Sequence, residues 1–180
     1  MTRRTQNLNA ETIPSLHGLP LPMDLAEELS GAFYITEFDF GSAYWQIVIN
    51  PAHRFKTAFR LPDGRIFYWN RAPMGLDISG HALCRFVQNE VLKGCLHKFA
   101  ASYSDNVYIY TKVDDFSKHM EHVVHVLNRC IDHGMSVKPS KVFIGMRDIN
   151  VAGVVVSQHG ISVNPDKIQG IVDYQFPLNV

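Results

Sequence analysis

Two short segments place acidic residues in strand-like surroundings: Phe38-Asp39-Phe40-Gly41-Ser42-Ala43-Tyr44-Trp45-Gln46-Ile47 and Tyr103-Ser104-Asp105-Asn106-Val107-Tyr108-Ile109-Tyr110. β-Branched and aromatic neighbours favour a pleated, half-buried backbone, and an Asp-Asn dipeptide between two such runs reads as the tip of a hairpin. Hard divalent cations select carboxylate oxygens, so Asp39 and Asp105 are candidate ligands for one site if separate strands bring them side by side. Each aspartate alone is explained as well by a turn. Asp39 then caps a strand end, and Asp105-Asn106 is an ordinary hairpin tip.

The elements that must position these residues are legible around them. Phe33 to Phe40 reads as a buried strand, the next strand-like run ends at Asn50-Pro51, and Lys98 to Thr111 reads as strand, tight turn, strand. Between Arg54 and Arg71, two strands flank Pro62-Asp63-Gly64. Along the first, period two puts Lys56, Ala58 and Arg60 on one face and Phe55, Thr57, Phe59 and Leu61 on the other. Helices are predicted over Asp24 to Leu29, within Ser79 to Leu96, and from Asp114-Asp115 to His133-Gly134. The apolar stripe of the last is predicted as Met120, Val123, Val124, Leu127, Cys130 and Ile131. Val142 to Ile144 and Ile149 to Ser157 read as short strands, with a turn at Gln158-His159-Gly160. Up to about Leu19, the prolines and glycine keep the chain extended or looped. Antiparallel strands with helices on one face make an α+β fold.

Composition sets the outer limits. The 180 residues are 46% hydrophobic, enough for one well-packed domain and short for two. Seventeen basic residues balance seventeen acidic ones, which excludes a wholesale polycation but not local patches. One such patch is residues 51 to 71, where Arg54, Lys56, Arg60, Arg65 and Arg71 face a single acid, Asp63, with Phe55, Phe59, Phe67, Tyr68 and Trp69 interleaved. Charge and stacking surfaces of this kind suit a nucleic-acid strand, and a solvated hairpin with inward-facing aromatics suits the pattern nearly as well. Three cysteines without Cys-x-x-Cys spacing indicate neither a disulfide framework nor a zinc site and fit a reducing, intracellular setting. No apolar run reaches the roughly 20 residues that span a bilayer, and no signal-peptide core opens the chain, so a soluble, unprocessed protein is expected. His119, His122 and His125 recur at helical spacing but lack a supporting ligand pattern. They read as a histidine-rich helix edge, and Asp114-Asp115 as helix-cap chemistry.

The two acidic segments resemble the first catalytic-aspartate motif and the Tyr-x-Asp-Asp hairpin of reverse transcriptases, with Asn106 in the last position. The wording is similar to the gypsy-type LTR retrotransposon branch. Phe55-Lys56-Thr57-Ala58-Phe59, Ala72-Pro73-Met74-Gly75-Leu76, Gly134-Met135-Ser136-Val137-Lys138-Pro139-Ser140-Lys141 and Gly160-Ile161-Ser162-Val163-Asn164-Pro165-Asp166-Lys167-Ile168 follow in the family's order. The resemblance implies one partial domain over residues 1–180, with about 1–35 and 51–72 fingers-like, the rest palm, and thumb, RNase H and integrase absent. It implies RNA-directed DNA synthesis: deoxynucleotides join a primer 3′ end on an RNA or DNA template, with two Mg²⁺ (or Mn²⁺) ions. The remaining domains of a parent polyprotein are the implied partners, without a membrane. The implied place is the cytoplasm, in an element particle, or the nucleus.

By the same resemblance Asp39, the Phe40 carbonyl, Asp105 and Asn106 hold metal, and Lys141 protonates the leaving pyrophosphate. Tyr44 gates against a 2′-hydroxyl, while Gln46, Met74 and Gly75 floor the nucleotide and primer-template. Arg54, Lys56, Arg60 and Arg65 line the template groove. Four positions depart from the pattern: Asn106 removes a charge, Gln6 stands where a triphosphate-gripping arginine is expected before Leu8-Asn9, Met74 replaces Phe or Gln, and Gly80 replaces Pro. Asn106, Gln6, Gly80 and the missing thumb favour an alternative, a catalytically impaired or domesticated domain that keeps only nucleic-acid or protein binding. An RNA-templated RNA polymerase palm is a more distant alternative, disfavoured by Tyr44.

Overall fold

A computed structural model describes residues 8–13, 21–151 and 153–164. Its centre is a four-stranded antiparallel sheet in the order β4-β5-β1-β6, built from β1 (Tyr34–Phe40), β4 (Ala100–Tyr103), β5 (Asn106–Thr111) and β6 (Val137–Met146). β1 lies between β5 and β6. Its side chains alternate: Phe38 and Phe40 point into one core and Ile35 into another.

The first core lies under two helices, α3 (Asp77–Phe86) and α4 (Phe116–Asp132). α3 runs on as a wider π turn over Val87–Val91, and Leu83, Val87, Val91 and Leu92 meet Phe38, Val107, Ile109, Val123 and Val126 there. Phe38 is fully buried, and burial of a side chain this size contributes roughly 1.5–3 kcal/mol. α4 begins where the Asp115 carboxylate accepts from Lys118 N at 3.0 Å. Its buried residues are His119, Val123, Val126 and Cys130, while Val124 and Ile131 are exposed. The inward stripe is thus rotated from the one predicted, and it contains a histidine.

The second core lies on the opposite face, where α1 (Pro22–Leu29) and a small sheet of β7 (Asp148–Val151), β8 (Val154–Ser157) and β9 (Gly160–Val163) cover Ile35, Ala101, Tyr108 and Tyr110. The predicted strand Ile149 to Ser157 is therefore a hairpin, β7 turning into β8. The run toward Asn50 is not a strand either. It contains a single helical turn, α2 (Ala43–Gln46), and Pro51–Thr57 forms a 3₁₀ helix. Only Phe59–Arg60 (β2) and Ile66–Phe67 (β3) pair as a hairpin, so Lys56 and Arg60 do not share a strand face. Proline at the first turn and the Asn50 side chain accepting from Ala52 N start the 3₁₀ turn and override the β pattern.

β6 is one of the sheet's two edge strands and carries Pro139, tolerated where no partner needs its missing N–H. Its register against β1 shifts between Phe38 and Phe40, which opposes Lys141 to the Asp39 end of β1. A second shift accompanies Gly145, whose φ of +66° and whose space, 2.7 Å from a ring carbon of Phe116, leave no room for a Cβ. Cys84, Cys95 and Cys130 are buried free thiols. Burial raises all three, Cys130 to about 12.

Candidate active site

The site forms where the central strand ends. In the β1–β5 ladder Asp39 stands directly opposite Asn106, and Phe40 N donates to the Asp105 carbonyl at 3.4 Å. Antiparallel pairing thus brings Asp39 and Asp105 to one end of the sheet. The turn residues are Ser104 and Asp105, with Asn106 already the first residue of β5, so the Asp-Asn dipeptide straddles the turn's end rather than forming its tip. Ser104 holds φ at +56°, and Ser42, just beyond β1, holds +52°. Hairpins usually give such a backbone to glycine. Serine in it stores strain beside the carboxylates.

Asp39 is 9% exposed. Its Oδ2 accepts an ion pair from Lys141 Nζ, and its Oδ1 is buried without a hydrogen-bond partner. A buried carboxylate oxygen left unpaired is costly, and a cation relieves that cost. The hydrogen bond and charge of Asp39 raise the Lys141 pKa, and Asp105 and Glu37 raise it further, so the ammonium sits in the field of three carboxylates. The donor set suits a hard divalent ion. Among the described residues no three His, Cys, Asp or Glu side chains are gathered as a ready-made ion cage.

Glu37 and Tyr108 were not singled out in the sequence, yet both border the site. Glu37 lies two residues before Asp39 and Tyr108 two after Asn106, so period two puts all four on one sheet face. Asn106 Nδ2 donates to Glu37 Oε1 at 3.2 Å and to Tyr108 Oη at 3.3 Å. Burial raises the Glu37 pKa, the Tyr108 hydroxyl bond lowers it, and Asp39 raises it again. Tyr108 is pushed up, chiefly by burial.

The remaining candidates divide by what their side chains already do. The Gln46 amide donates to the carbonyls of Gly41 and Ser136 at 2.6 and 2.9 Å and accepts from Ser136 N at 2.6 Å. It clamps the end of β1 to the α4–β6 turn and keeps no free polar group for a nucleotide. Tyr44 packs against the first core, and a Cβ added to Gly80 would lie 3.9 Å from its hydroxyl. Met74 is exposed, and Gly75 holds φ at +91° beside it. Asn9 Nδ2 donates to the Gly75 carbonyl at 2.9 Å and to Asp77 Oδ1 at 2.8 Å, while Asn9 Oδ1 accepts from Asp77 N at 3.2 Å. Leu8-Asn9 therefore braces the start of α3; Gln6 lies outside the described residues.

In the basic segment, Arg54 Nε donates to the Ile49 carbonyl, Arg65 pairs with Asp63 at 2.7 Å, and Arg71 donates to the carbonyls of Trp45 and Gln46. Lys56 and Arg60 are exposed. Trp45, Trp69, Phe59 and Phe67 form a chain of ring contacts, while Phe55 and Tyr68 stay exposed. Part of the aromatic surface is packed and part faces outward.

The family model for reverse transcriptase (RNA-dependent DNA polymerase) matches residues 2–176. The chain belongs to the reverse transcriptase family. Its gypsy-like character shows in a match to the Pol polyprotein of transposon gypsy from Drosophila melanogaster, 31% identical over 96% of this chain and 16% of that polyprotein. The enzymatic polyprotein of Cestrum yellow leaf curling virus is 27% identical over 90% of this chain and 25% of its own length. The chain thus spans a quarter or less of these relatives. Among solved structures, the foamy viral protease-reverse transcriptase in complex with double-stranded DNA superposes with a TM-score of 0.79 at 20% identity, over 97% of this chain and 30% of that one. The same viral protein in complex with an RNA/DNA hybrid gives 0.77, also at 20% identity, over 96% of this chain and 23% of that one. These establish the α+β reverse transcriptase fold. Reverse transcriptases as a family use divalent metal ions.

Behind the site of this reverse transcriptase domain, the α4 histidines serve the interior. His119 is fully buried, with Nε2 2.7 Å from Thr36 Oγ1 and Nδ1 3.0 Å from Thr111 Oγ1, and it stacks on Tyr34. Burial, with His122 beside it, lowers its pKa to about 4. His122 stacks on Phe99 at 4.1 Å, and His125 meets the same ring edge-on. The expected helix edge is in part a buried post under β1. A threonine facing it from each of two neighbouring strands is the sequence signal, visible only once the strands are paired. Among the described residues, no helix is long and apolar enough to cross a membrane.

Proposed function

We propose that this chain is the palm and part of the fingers of an RNA-directed DNA polymerase, about 1–35 and 51–72 being fingers-like, and that it extends a primer by metal-assisted phosphoryl transfer. One observation carries the reading: Asp39, with an unpartnered buried oxygen, is brought by strand register to the end of the sheet where Asp105 turns. Asp39 and Asp105, with the Phe40 carbonyl and Asn106 Oδ1, are the oxygens that would hold two Mg²⁺ or Mn²⁺ ions. Bound there, such ions lower the pKa of the attacking hydroxyl and neutralise charge on the transferring phosphoryl group.

The chain's own residues account for the rest. Lys141, an ammonium paired with Asp39 at the end of β1, is the group placed to give a proton to the leaving pyrophosphate. Tyr44 supports the sugar and excludes a 2′-hydroxyl by bulk. Met74 and the open backbone of Gly75 border the primer-template. Lys56 and Arg60, with Arg54 and Arg65, draw the template phosphates across the 51–72 segment, where Phe55 and Tyr68 offer stacking faces.

A second reading, binding without catalysis, is favoured by Asn106, which withdraws a formal charge from the metal ligands. Primer extension on RNA and DNA templates with Mg²⁺ and with Mn²⁺, against an Asp39→Asn control, separates the two. Extension abolished by Asp39→Asn supports the polymerase. Template binding by a folded chain without extension under either ion leaves the second reading standing.

A further inference from the structure

The amide of Asn106 is held by one end. Its nitrogen donates to Glu37 Oε1 and Tyr108 Oη, so the atom facing Glu37 is the NH₂ group. That fixes which way the amide is turned. Both of its N–H bonds point toward Glu37 and Tyr108, which leaves Oδ1 as the atom free to meet a cation, and directly across the ladder Asp39 Oδ1 is buried without a partner.

We infer that Glu37 is a positioning residue for the metal site: with Tyr108 it anchors Asn106 by nitrogen so that the neutral Oδ1 faces the cation. Without Glu37 the amide is free to turn its NH₂ group toward the ion, a geometry no cation tolerates. The inference rests on the polymerase-site reading. The carboxylate stands on β1 two ladder pairs from Asn106 and acts on the ion through it.

The test is Mn²⁺ titration of the full chain followed by electron paramagnetic resonance, with thermal melting of each metal-free variant alongside. Glu37→Leu, which fills the half-buried strand position without an acceptor, should weaken Mn²⁺ binding about tenfold, the low end of what outer partners of metal ligands supply. Glu37→Gln keeps an acceptor and should weaken it less. Asn106→Asp should tighten binding, and by a larger factor in the Glu37→Gln background, because an acceptor-only carboxylate loses the bond the Asn106 amide gives Glu37, whereas a glutamine amide can donate to it.

Wild-type affinity in Glu37→Leu, or an equal gain from Asn106→Asp in both backgrounds, overturns the inference. So does a loss of affinity that only follows a loss of melting temperature. If Glu37→Leu does not fold, the cycle of Glu37→Gln with Asn106→Asp decides alone. Asp39→Asn distinguishes the two levels: if it leaves Mn²⁺ binding intact, the metal-site reading itself fails. If it abolishes binding while every Glu37 variant matches wild type, only the role of Glu37 falls.

Discussion

Lowering the pH should loosen this domain through His119, by an amount the structure sets. The imidazole is buried neutral, its pKa near 4 in the folded chain against about 6.5 when unfolded. The unfolded state binds a proton first as pH falls, so the contribution is whole above about pH 6.5 and is lost progressively toward pH 4. Two and a half units correspond to about 3 kcal/mol at the acid limit, and about 2 kcal/mol of that falls between pH 7 and pH 5. Against a total stability of roughly 5–15 kcal/mol for a domain, this is measurable. Urea denaturation of wild type and His119→Gln at pH 7, 6 and 5 isolates the effect, because glutamine can bond both threonines but does not titrate. The variant should start less stable and lose about 2 kcal/mol less across the range. Parallel pH dependences in the two proteins would refute the buried-neutral assignment.

Three other sets of substitutions probe the parts around the site. Gln46→Glu sets an acceptor-only group against the carbonyls of Gly41 and Ser136 and should cost about 1–3 kcal/mol in denaturant melts, with a fall in any primer extension. Gly145→Ala forces a Cβ against Phe116 at positive φ and should cost more than about 1 kcal/mol, a loss that Phe116→Ala in the same chain should partly restore. Changing Arg54, Lys56, Arg60 and Arg65 together to Ala should leave the circular dichroism spectrum intact and flatten the salt dependence of template binding. An unchanged slope would show that these cations make no phosphate contact.

The central strand and the hairpin were legible because their chemistry is local: alternating apolar residues, an acid at the strand end, and a short polar turn. The α4 cap at Asp115 was legible for the same reason. What sequence alone misplaced was decided by partners distant along the chain. Val124 and Ile131 fit an apolar stripe as well as His119 does not, yet Thr36 and Thr111 supply the hydroxyls that draw the histidine inward. The strand expected through Lys56 lost to a proline and an asparagine cap one turn earlier. Glu37 and Tyr108 are not legible along either segment, because their importance lies across the ladder. Asking which side chains share a face with Asp39 and Asn106 finds both.

The three buried thiols give this domain built-in clocks. A thiol reacts as thiolate, and burial keeps Cys84, Cys95 and Cys130 protonated and out of reach of alkylating reagents. Labelling can then proceed only as fast as the layer between α3, α4 and the sheet breathes. Cys84 reports from α3, hydrogen-bonded to the Ser104 carbonyl at the strained turn, and Cys130 from the last turns of α4. Their relative rates would tell whether the β4–β5 hairpin opens by itself or only when the whole domain comes apart.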